Sequence, residues 1–386
     1  MSKDIKTSIS KLPLVDVQMG EKEIKNLKNV IKSGWVTQGS QTQTFENMFS
    51  RFIGTKYAVA TSSCTSALQI VLAEYELSKQ DEIITTPFTW ESTIAAIIYA
   101  GATPVFADID PGTFNIDPNS IIKKVTKRTK GIVVVHYAGM PCKMDEIKQI
   151  AQAHNLFIIE DSAHALGSEY NNKKTGSIGD AACFSFGSTK VITTGEGGMI
   201  TTNEKSKFKR YRILRNYGET KSSLQKRGMN RWTYDITSLS YNYKINEFAA
   251  AIGVEQMKKL PSIISGRVRA LRLYQKYLLE NSNIRYQKKS KDIKHIPLFY
   301  PISLKRTDKN TRTNIMTELE RIGIETNIYY PPVYKLTIFK KLFQGMKINC
   351  PIAENISSTI FSVPCHRLVK KDHILAINKV LHKYLK

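Results

Sequence analysis

Small hydroxyl residues crowd together after an apolar stretch near residue 60. The run 61–66 consists of Thr, Ser, Ser, Cys, Thr and Ser, and a helical pattern follows it. Free backbone N–H groups, hydroxyl donors and the positive end of a helix dipole would bind an anion there, most naturally a phosphate. The same residue types also make ordinary helix caps, so this run alone leaves both interpretations open.

An aspartate and a lysine complete a possible reaction centre. Asp161 directly follows the apolar run 156–160, and Lys190 lies between an apolar segment and the glycine-rich turn 195–198. A desolvated lysine has a lowered pKa and can attack a carbonyl carbon, although most single loop lysines are simply solvated. A phosphate cradle, an aspartate that keeps a pyridine nitrogen protonated and a lysine that forms a Schiff base are the parts that a pyridoxal phosphate (PLP) enzyme needs.

The elements around these residues predict an α/β fold with a mainly parallel sheet flanked by helices. Short apolar runs alternate with helical patterns, and in parallel sheets ligands gather at the carboxyl ends of the strands. The predicted strands are 57–61, 82–86, 104–108, 131–136 and 156–160, and the predicted helices between them include 92–100 and 144–153.

The second half predicts a smaller α+β domain. Residues 205–232 are expected to form a loop plus a helix. Pro261 is expected to end one helix, 246–259, before another begins at 264 and runs to 280. A strand at 296–302 and helices at 310–322 and 372–385 follow. We therefore expect a large domain over residues 1–255, with its N-terminal segment packed on a small domain over residues 256–386.

Charge and composition narrow the class of protein. The net charge is +24, but residues 1–200 hold 20 basic and 20 acidic side chains, so the whole excess lies in residues 201–386. The basic residues are spread out, without a zinc-finger spacing or an aromatic RNA-binding motif, which disfavours a primary nucleic-acid role. A lysine bias, an acidic partner or an anionic membrane surface remain possible reasons for the excess.

The absence of long apolar segments and of paired cysteine spacings bears on cellular location and on metal binding. There is no apolar run of about 18 residues and no apolar signal region, so we expect neither a membrane span nor secretion. The five cysteines are scattered without a C-x-x-C spacing, which favours neither a disulfide framework nor a zinc site. We expect a cytoplasmic protein without a metal.

Taken in order, these motifs make the chain similar to a known family. It resembles the DegT/DnrJ/EryC1/StrS sugar aminotransferases, a branch of the fold-type I PLP enzymes that are like aspartate aminotransferase. The resemblance spans nearly the whole chain and loosens after about residue 260. Its densest stretches are 34–39, 101–110, 160–165, 185–198 and 241–244.

The resemblance implies a role for each site residue. Lys190 matches the Schiff-base lysine, Asp161 the partner of the pyridinium nitrogen, and His164 a residue near the phenolic oxygen of the cofactor. Trp90 matches the aromatic residue that stacks on the pyridine ring. The remaining matches are phosphate contacts: Thr65, Ser66, Ser185 and, from the neighbouring subunit of a homodimer, Asn242.

Some positions depart from the family pattern. Cys64 stands where the family usually has glycine, and a cysteine would be strained if that position needed a positive φ. Lys244 replaces a common arginine, which would lose a bidentate contact. The pair Gly187 and Ser188 is smaller than usual, which would widen the pocket.

The implied activity is transfer of an amino group to a nucleotide-linked keto sugar. Glutamate or glutamine would be the donor, and pyridoxamine phosphate (PMP) would form between the two half-reactions. A sugar dehydratase of the same fold is an alternative, but such relatives carry histidine at the lysine position, whereas Lys190 is present. A basic nucleic-acid-binding or regulatory protein is the other alternative. The candidates for contacts with the sugar are Trp35, Tyr329, Tyr330 and Tyr334.

Overall fold

The computed structural model describes residues 10–220, 233–278, 281–305 and 309–385. The strands are β1 (Tyr57–Thr61), β2 (Glu82–Thr85), β3 (Thr103–Phe106), β4 (Thr129–Val135), β5 (Phe157–Asp161), β6 (Glu169–Tyr170), β7 (Lys173–Lys174), β8 (Ala181–Ser185), β9 (Gly198–Thr202), β10 (Ile284–Arg285), β11 (Ile293–Lys294), β12 (Phe299–Leu304) and β13 (Ile360–Pro364). The helices are α1 (Glu21–Ser33), α2 (Ser40–Ile53), α3 (Cys64–Ala73), α4 (Glu91–Tyr99), α5 (Pro118–Ile122), α6 (Met144–His154), α7 (Lys205–Arg215), α8 (Glu247–Tyr277), α9 (Lys309–Arg321), α10 (Thr337–Leu342), α11 (Pro351–Thr359) and α12 (Lys371–Tyr384).

A seven-stranded sheet forms the large part of the fold, with strand order β1-β9-β8-β5-β4-β2-β3. Strand β9 runs antiparallel to both of its neighbours, and the other strands share one direction. Successive residues of β8 pack into different clusters, with Phe184 against α2 residues such as Phe49 and Cys183 against α3 and α7 residues such as Leu68. Helices therefore cover both faces, which confirms the predicted α/β fold.

The apolar runs of the sequence predict the first five strands to within a few residues, whereas β8 and β9 were not predicted as strands. Strand β9 begins with a glycine and contains only two apolar side chains in its sequence GMITT, so its pattern is too weak to recognise alone. Its position is fixed instead by pairing with β1 and β8 on either side.

The prediction of two helices separated at Pro261 was wrong. The structure has one continuous helix, α8, with Pro261 inside it. A proline removes one backbone donor, but Pro261 lies on the exposed side, whereas Met257, Leu260 and Ile263 are buried in the core next to α2. This burial outweighs the missing hydrogen bond. The helix ends at Tyr277, and residues 279–280 of the predicted helix lie outside the described residues.

The C-terminal part holds a small antiparallel sheet of order β10-β12-β13, with α9, α12 and the second half of α8 packed around it. The N-terminal segment joins this part, because the N–H of Leu12 donates to Gly323 O at 2.8 Å and the Leu12 side chain is fully buried there. Residues 330–360 instead contribute to the core of the large sheet. The predicted boundary between the two domains, residue 255, lies inside helix α8. The division of the chain into domains 1–255 and 256–386 stays a prediction.

Residues 205–232 were expected to form a loop plus a helix. The helical part is α7, and residues 221–232 lie outside the described residues. Within the described ranges, no helix is long and apolar enough to cross a membrane. The same ranges contain no cluster of three or more His, Cys, Asp or Glu side chains suited to a metal ion.

Candidate active site

A cavity of about 420 Å³ opens at the carboxyl ends of the parallel strands. It is the place where α/β sheets bind their ligands. Of the eight predicted site residues, the structure brings six to its wall: Thr65, Trp90, Asp161, His164, Ser185 and Lys190. Chain positions separated by more than 100 residues therefore meet at one edge of the sheet.

Asp161 is the last residue of β5, and its carboxylate is held by two donors. Thr93 Oγ1 donates to Oδ2 at 2.8 Å, and the N–H of Ala163 donates to Oδ1 at 3.2 Å. Thr93 is held in turn by Thr89 at 2.9 Å between the hydroxyl oxygens. Burial raises the pKa of Asp161, and the hydrogen bonds and nearby Lys190 oppose that rise. A buried carboxylate of this kind favours a cationic partner in the cavity.

Lys190 follows the turn after β8, where its N–H donates to Gly187 O at 3.1 Å. Burial lowers the pKa of Lys190 below that of a solvated lysine, although Cys64 and Asp161 act in the opposite direction. A larger share of this side chain is therefore an uncharged amine near neutral pH. That is the form in which a lysine attacks a carbonyl carbon or accepts a proton.

The start of α3 forms the third part of the wall. Ser63 caps this helix, because its Oγ accepts from the N–H of Ser66 at 3.1 Å and its own N–H donates to Ser66 Oγ at 3.0 Å. Thr65 lines the cavity and donates from Oγ1 to Ser92 Oγ at 2.8 Å. The buried hydroxyl of Ser66 belongs to the cap and does not line the cavity. The run 61–66 thus caps α3, and its residues Ser63 to Thr65 border the cavity.

Cys64 adopts ordinary helical geometry as the first residue of α3 and is not among the residues with positive φ. The strain expected for a cysteine at this position is therefore absent. A different glycine permits the tight packing of the loop, namely Gly198 at the start of β9. A Cβ atom added to Gly198 would lie 2.3 Å from Ser63 O and 2.7 Å from Cys64 N.

Aromatic residues form a further part of the cavity wall. Trp90 is the residue before α4 and remains 53% exposed, with its ring centroid 5.7 Å from that of Tyr330. Tyr330 Oη lies 3.0 Å from His164 Nε2, so the two buried side chains are hydrogen-bonded. Tyr329 also reaches the cavity. The sequence marked both tyrosines only as sugar-side candidates and gave no sign of the bond to His164.

The other sugar-side candidates do not line this cavity. Tyr334 donates from Oη to Glu354 Oε1 at 2.8 Å and packs its ring against Phe106. The indole N–H of Trp35 donates to Gln38 O at 3.2 Å. These contacts give both side chains a structural role within this chain.

Asn242 lies outside the cavity, on the surface. Its segment is bridged to Asn216, and Lys244 donates from Nζ to Asn216 Oδ1 at 2.6 Å. Lys244 Nζ also lies 4.4 Å from the ring centroid of Tyr217, so the lysine that replaces the common arginine holds this loop. Large apolar side chains are exposed around the same segment: Tyr217, Tyr234, Ile236, Leu239 and Tyr241, of which Leu239 is 99% exposed.

The donor set suits PLP. Asp161 offers a buried carboxylate to a pyridinium N–H, Lys190 offers an amine, and the α3 N-terminus with Thr65 offers donors to a phosphate. Trp90 supplies an aromatic face beside them. The side chains that line the cavity are thus of the types that PLP binding requires.

Comparison with known proteins decides the family. The profile of the DegT/DnrJ/EryC1/StrS aminotransferase family matches residues 17–382. The chain belongs to this family. The predicted membership is therefore confirmed. It favours an aminotransferase over the nucleic-acid-binding alternative, and the presence of Lys190 disfavours the dehydratase.

Two relatives and one solved enzyme illustrate how far the similarity of this family member extends. A spore coat polysaccharide biosynthesis protein of Bacillus subtilis is 36% identical over 94% of this chain and 93% of its own length. GDP-perosamine synthase of Escherichia coli O157:H7 is 31% identical over 97% of this chain and 98% of its own length.

The solved enzyme is a candidate sugar aminotransferase from Streptococcus pneumoniae. Its PMP form superposes with a TM-score of 0.89 at 30% identity, over 97% of this chain and 100% of its own length. A PLP form of the same enzyme gives a TM-score of 0.88. This aminotransferase thus shares its fold with an enzyme known in both cofactor forms, in agreement with the predicted cofactor.

Proposed function

We propose that this chain is a PLP-dependent aminotransferase that converts a nucleotide-linked keto sugar into an amino sugar. One observation carries the proposal: Lys190, Asp161, Trp90 and the start of α3 border a single cavity at the carboxyl edge of the sheet. Similarity to GDP-perosamine synthase over nearly the full length supports a nucleotide sugar as substrate. Glutamate or glutamine is the proposed donor, and the cytoplasm, where the unpaired cysteines stay reduced, is the proposed location.

Each residue of the wall has a task in this proposal. When bound, PLP supplies an electron sink for the charge that develops at the donor carbon. Asp161 would stabilise a proton on the ring nitrogen, and the N–H groups of the α3 terminus, that of Thr65 among them, with the Ser185 hydroxyl would hold the phosphate. Lys190 Nζ would hold the cofactor and, once free, would move a proton from the α-carbon of the donor to the cofactor carbon that carries the nitrogen.

The first test is spectroscopic. Purified protein should take up added PLP and show visible absorption, and Lys190→Ala should lose this covalent band and at least about 10⁴-fold in turnover. Lys173→Ala changes an exposed lysine of β7 and serves as the matched control. A wild-type protein that takes up no PLP would contradict the proposal.

The substrate is tested with a panel of keto sugars linked to different nucleoside diphosphates. Each is incubated with the holoenzyme and glutamate or glutamine, and the products are analysed by mass spectrometry. Exchange of the keto oxygen for an amino group identifies the sugar and the donor. Amino transfer to free keto acids but to no member of the panel would contradict a nucleotide-sugar substrate.

A shared active site is the proposed reason for the exposed position of Asn242. The exposed apolar side chains of its segment, Leu239 above all, support a homodimer in which Asn242 reaches the phosphate of the partner subunit. Lys190→Ala and Asn242→Ala chains should each be impaired alone. A mixture of the two should form heterodimers in which one of the two sites is intact, so activity should return. Absence of this recovery in verified heterodimers would contradict the shared site.

A further inference from the structure

Large apolar side chains are exposed beside β3, which is an edge strand of the seven-stranded sheet. On α10 and the turn that follows it, the exposed fraction is 58% for Ile338, 53% for Leu342 and 40% for Met346. The spacing of four residues places Ile338 and Leu342 on one side of α10. Phe339 and Phe343 point the other way and belong to the core of the large sheet. Helix α10 is therefore apolar on both sides, and the described residues cover only one of them.

The end of α5 adds a second piece to this surface. Ile122, the last residue of α5, is 52% exposed. The two segments meet at Asp108, just after β3. Its carboxylate accepts from the N–H groups of Ile352 and Ala353 at 2.9 and 2.8 Å, and its own N–H donates to Ser120 Oγ of α5 at 2.8 Å. We call the four exposed side chains the β3-edge patch: Ile122, Ile338, Leu342 and Met346.

The charged residues that accompany the patch in the chain are all basic. Residues 331–353 contain four lysines, residues 118–130 contain four lysines and one arginine, and neither stretch contains Asp or Glu. Arg128, Lys130 and Lys335 form ion pairs. Among the described residues, no carboxylate pairs with the other six: Lys123, Lys124, Lys127, Lys340, Lys341 and Lys347. The patch is therefore flanked by positive charge that the described part of the chain does not neutralise.

The patch lies far from the surface proposed for the homodimer. The Asn242 segment lies at the end of β1, because Lys244 is bridged to Thr61. Strands β1 and β3 are opposite edges of the seven-stranded sheet, six spacings of about 4.8 Å or about 29 Å apart. A dimer formed through the Asn242 segment therefore does not account for the exposed apolar side chains beside β3.

We propose that the β3-edge patch and its lysines dock this protein on the surface of an anionic lipid bilayer. Exposed apolar side chains insert between the lipid headgroups, and lysines bind the headgroup phosphates as point charges on flexible stems. Charge complementarity requires an anionic partner. Six lysines without fixed ion pairs suit a fluid layer of headgroups, whereas a folded acidic protein presents its charges at fixed positions. This docking goes beyond the proposed function and does not depend on it.

The test is co-sedimentation of the purified full-length protein with lipid vesicles at physiological salt. We expect binding to vesicles of equal parts phosphatidylcholine and phosphatidylglycerol and none to phosphatidylcholine alone. Each lysine near an anionic surface strengthens binding roughly fivefold, so Lys340→Gln combined with Lys341→Gln should weaken it about 30-fold. The matched control is Lys371→Gln combined with Lys379→Gln, which removes the same charge from exposed positions of α12 on the small sheet. Binding of this control should change by less than about twofold, because charges away from the membrane are screened by salt.

Apolar substitutions test insertion separately from charge. Ile338→Ser combined with Leu342→Ser keeps every lysine and should weaken binding to the anionic vesicles about tenfold. Tryptophan fluorescence gives a direct readout of the contact. Leu342→Trp should shift its emission to shorter wavelength when these vesicles are added, whereas Leu375→Trp, at a position of α12 that is 45% exposed, should not.

Three results would overturn the docking proposal. The first is absence of wild-type binding to the anionic vesicles, and the second is equal weakening by the α10 and α12 lysine pairs, which would show unspecific attraction. The third is a fall in the molecular mass in solution of the Ile338→Ser, Leu342→Ser variant, measured by light scattering, which would make the patch a contact between copies of the chain. PLP uptake and turnover should stay unchanged in all these variants. Failure of the wild type to take up PLP would refute the proposed function and not the docking, so the two failures are distinguishable.

Discussion

The two sides of the cavity are built in different ways. Lys190, Asp161 and the α3 terminus follow strands of one sheet, so each is positioned by the short segment that precedes it. Tyr329 and Tyr330 come from a loop far along the chain, after the small sheet has begun, and long-range bonds to Pro87 and Tyr137 hold that loop in place. The sheet side carries the proposed reactive groups, and the loop side adds Tyr329 and Tyr330 to the same cavity wall.

This difference predicts how the two sides respond to substitution. A reactive group cannot be replaced by its neighbours, because its charge or its nucleophilic atom takes part in the reaction. A residue that fixes geometry shares its task with surrounding contacts. Substitutions on the sheet side should therefore cause the larger losses, and those near the loop the smaller ones.

After the loss expected for Lys190→Ala, the largest effect is expected at Asp161. Asp161→Asn keeps the shape of the side chain but removes the negative charge that we propose stabilises a protonated ring nitrogen, so turnover should fall by about 10²–10³-fold. Steady-state kinetics and the cofactor content of the purified variant measure this. The matched control is Asp145→Asn, an exposed carboxylate on α6, which should change turnover by less than about twofold. Equal losses in both variants would contradict the assigned role.

A smaller loss, in this case of PLP affinity, is expected when the backbone at the start of α3 is displaced. Gly198→Ala places a Cβ atom against Ser63 O, and the start of α3 must shift. We expect PLP affinity to fall about 10–100-fold, measured by fluorescence titration of the apoenzyme. Gly20→Ala meets no atom within 4 Å and should leave the affinity unchanged. An unaltered affinity in Gly198→Ala would show that the loop adapts and would weaken the contrast between the two sides.

The lowered pKa of Lys190 predicts a pH dependence. Covalent capture of PLP by the apoenzyme needs the uncharged amine, so its rate should rise with pH as Lys190 loses its proton. Because burial lowers the pKa of Lys190, the midpoint should lie below 10.5, the usual pKa of a solvated lysine. Stopped-flow absorbance over a pH series measures the midpoint. A midpoint at or above 10.5 would contradict a desolvated lysine.

The smallest effect is expected at Tyr334, on the loop side but away from the cavity. Tyr334→Phe removes the hydrogen bond to Glu354 and should lower the free energy of unfolding by about 1 kcal/mol. The ratio kcat/KM should change by less than about threefold. Denaturant unfolding and steady-state kinetics test both statements. A tenfold loss of kcat/KM would place Tyr334 among the substrate-binding residues.

The sequence predicted the sheet side well because its information is local. An apolar run, a turn and a reactive residue lie together around Asp161, and the same holds for the run after β1. The parallel arrangement then brings the strand ends to one edge. Ser66 shows a limit of this reasoning, because a hydroxyl can cap a helix or face a ligand, and the spacing is the same in both cases.

The loop side could not be predicted in the same way. Nothing near Tyr330 in the sequence indicates a bond to His164, since the two residues are 166 positions apart. Pro261 shows a related limit: local propensity predicts the end of a helix, whereas the buried residues on both sides of it continue α8. Contacts between distant segments decided both outcomes, and a single sequence does not display them.

The uninterrupted helix α8 has a consequence for engineering this fold. It spans about 46 Å at 1.5 Å per residue, packs on α1 and α2 near its start, and near its end Arg267 Nη1 donates to three backbone carbonyl oxygens at 2.7–3.1 Å. A chimera that exchanges the C-terminal part at residue 255 would join two unrelated half-helices and break their common register. Junctions placed in the loop before α8, with the whole helix moved as one piece, should preserve both packing surfaces.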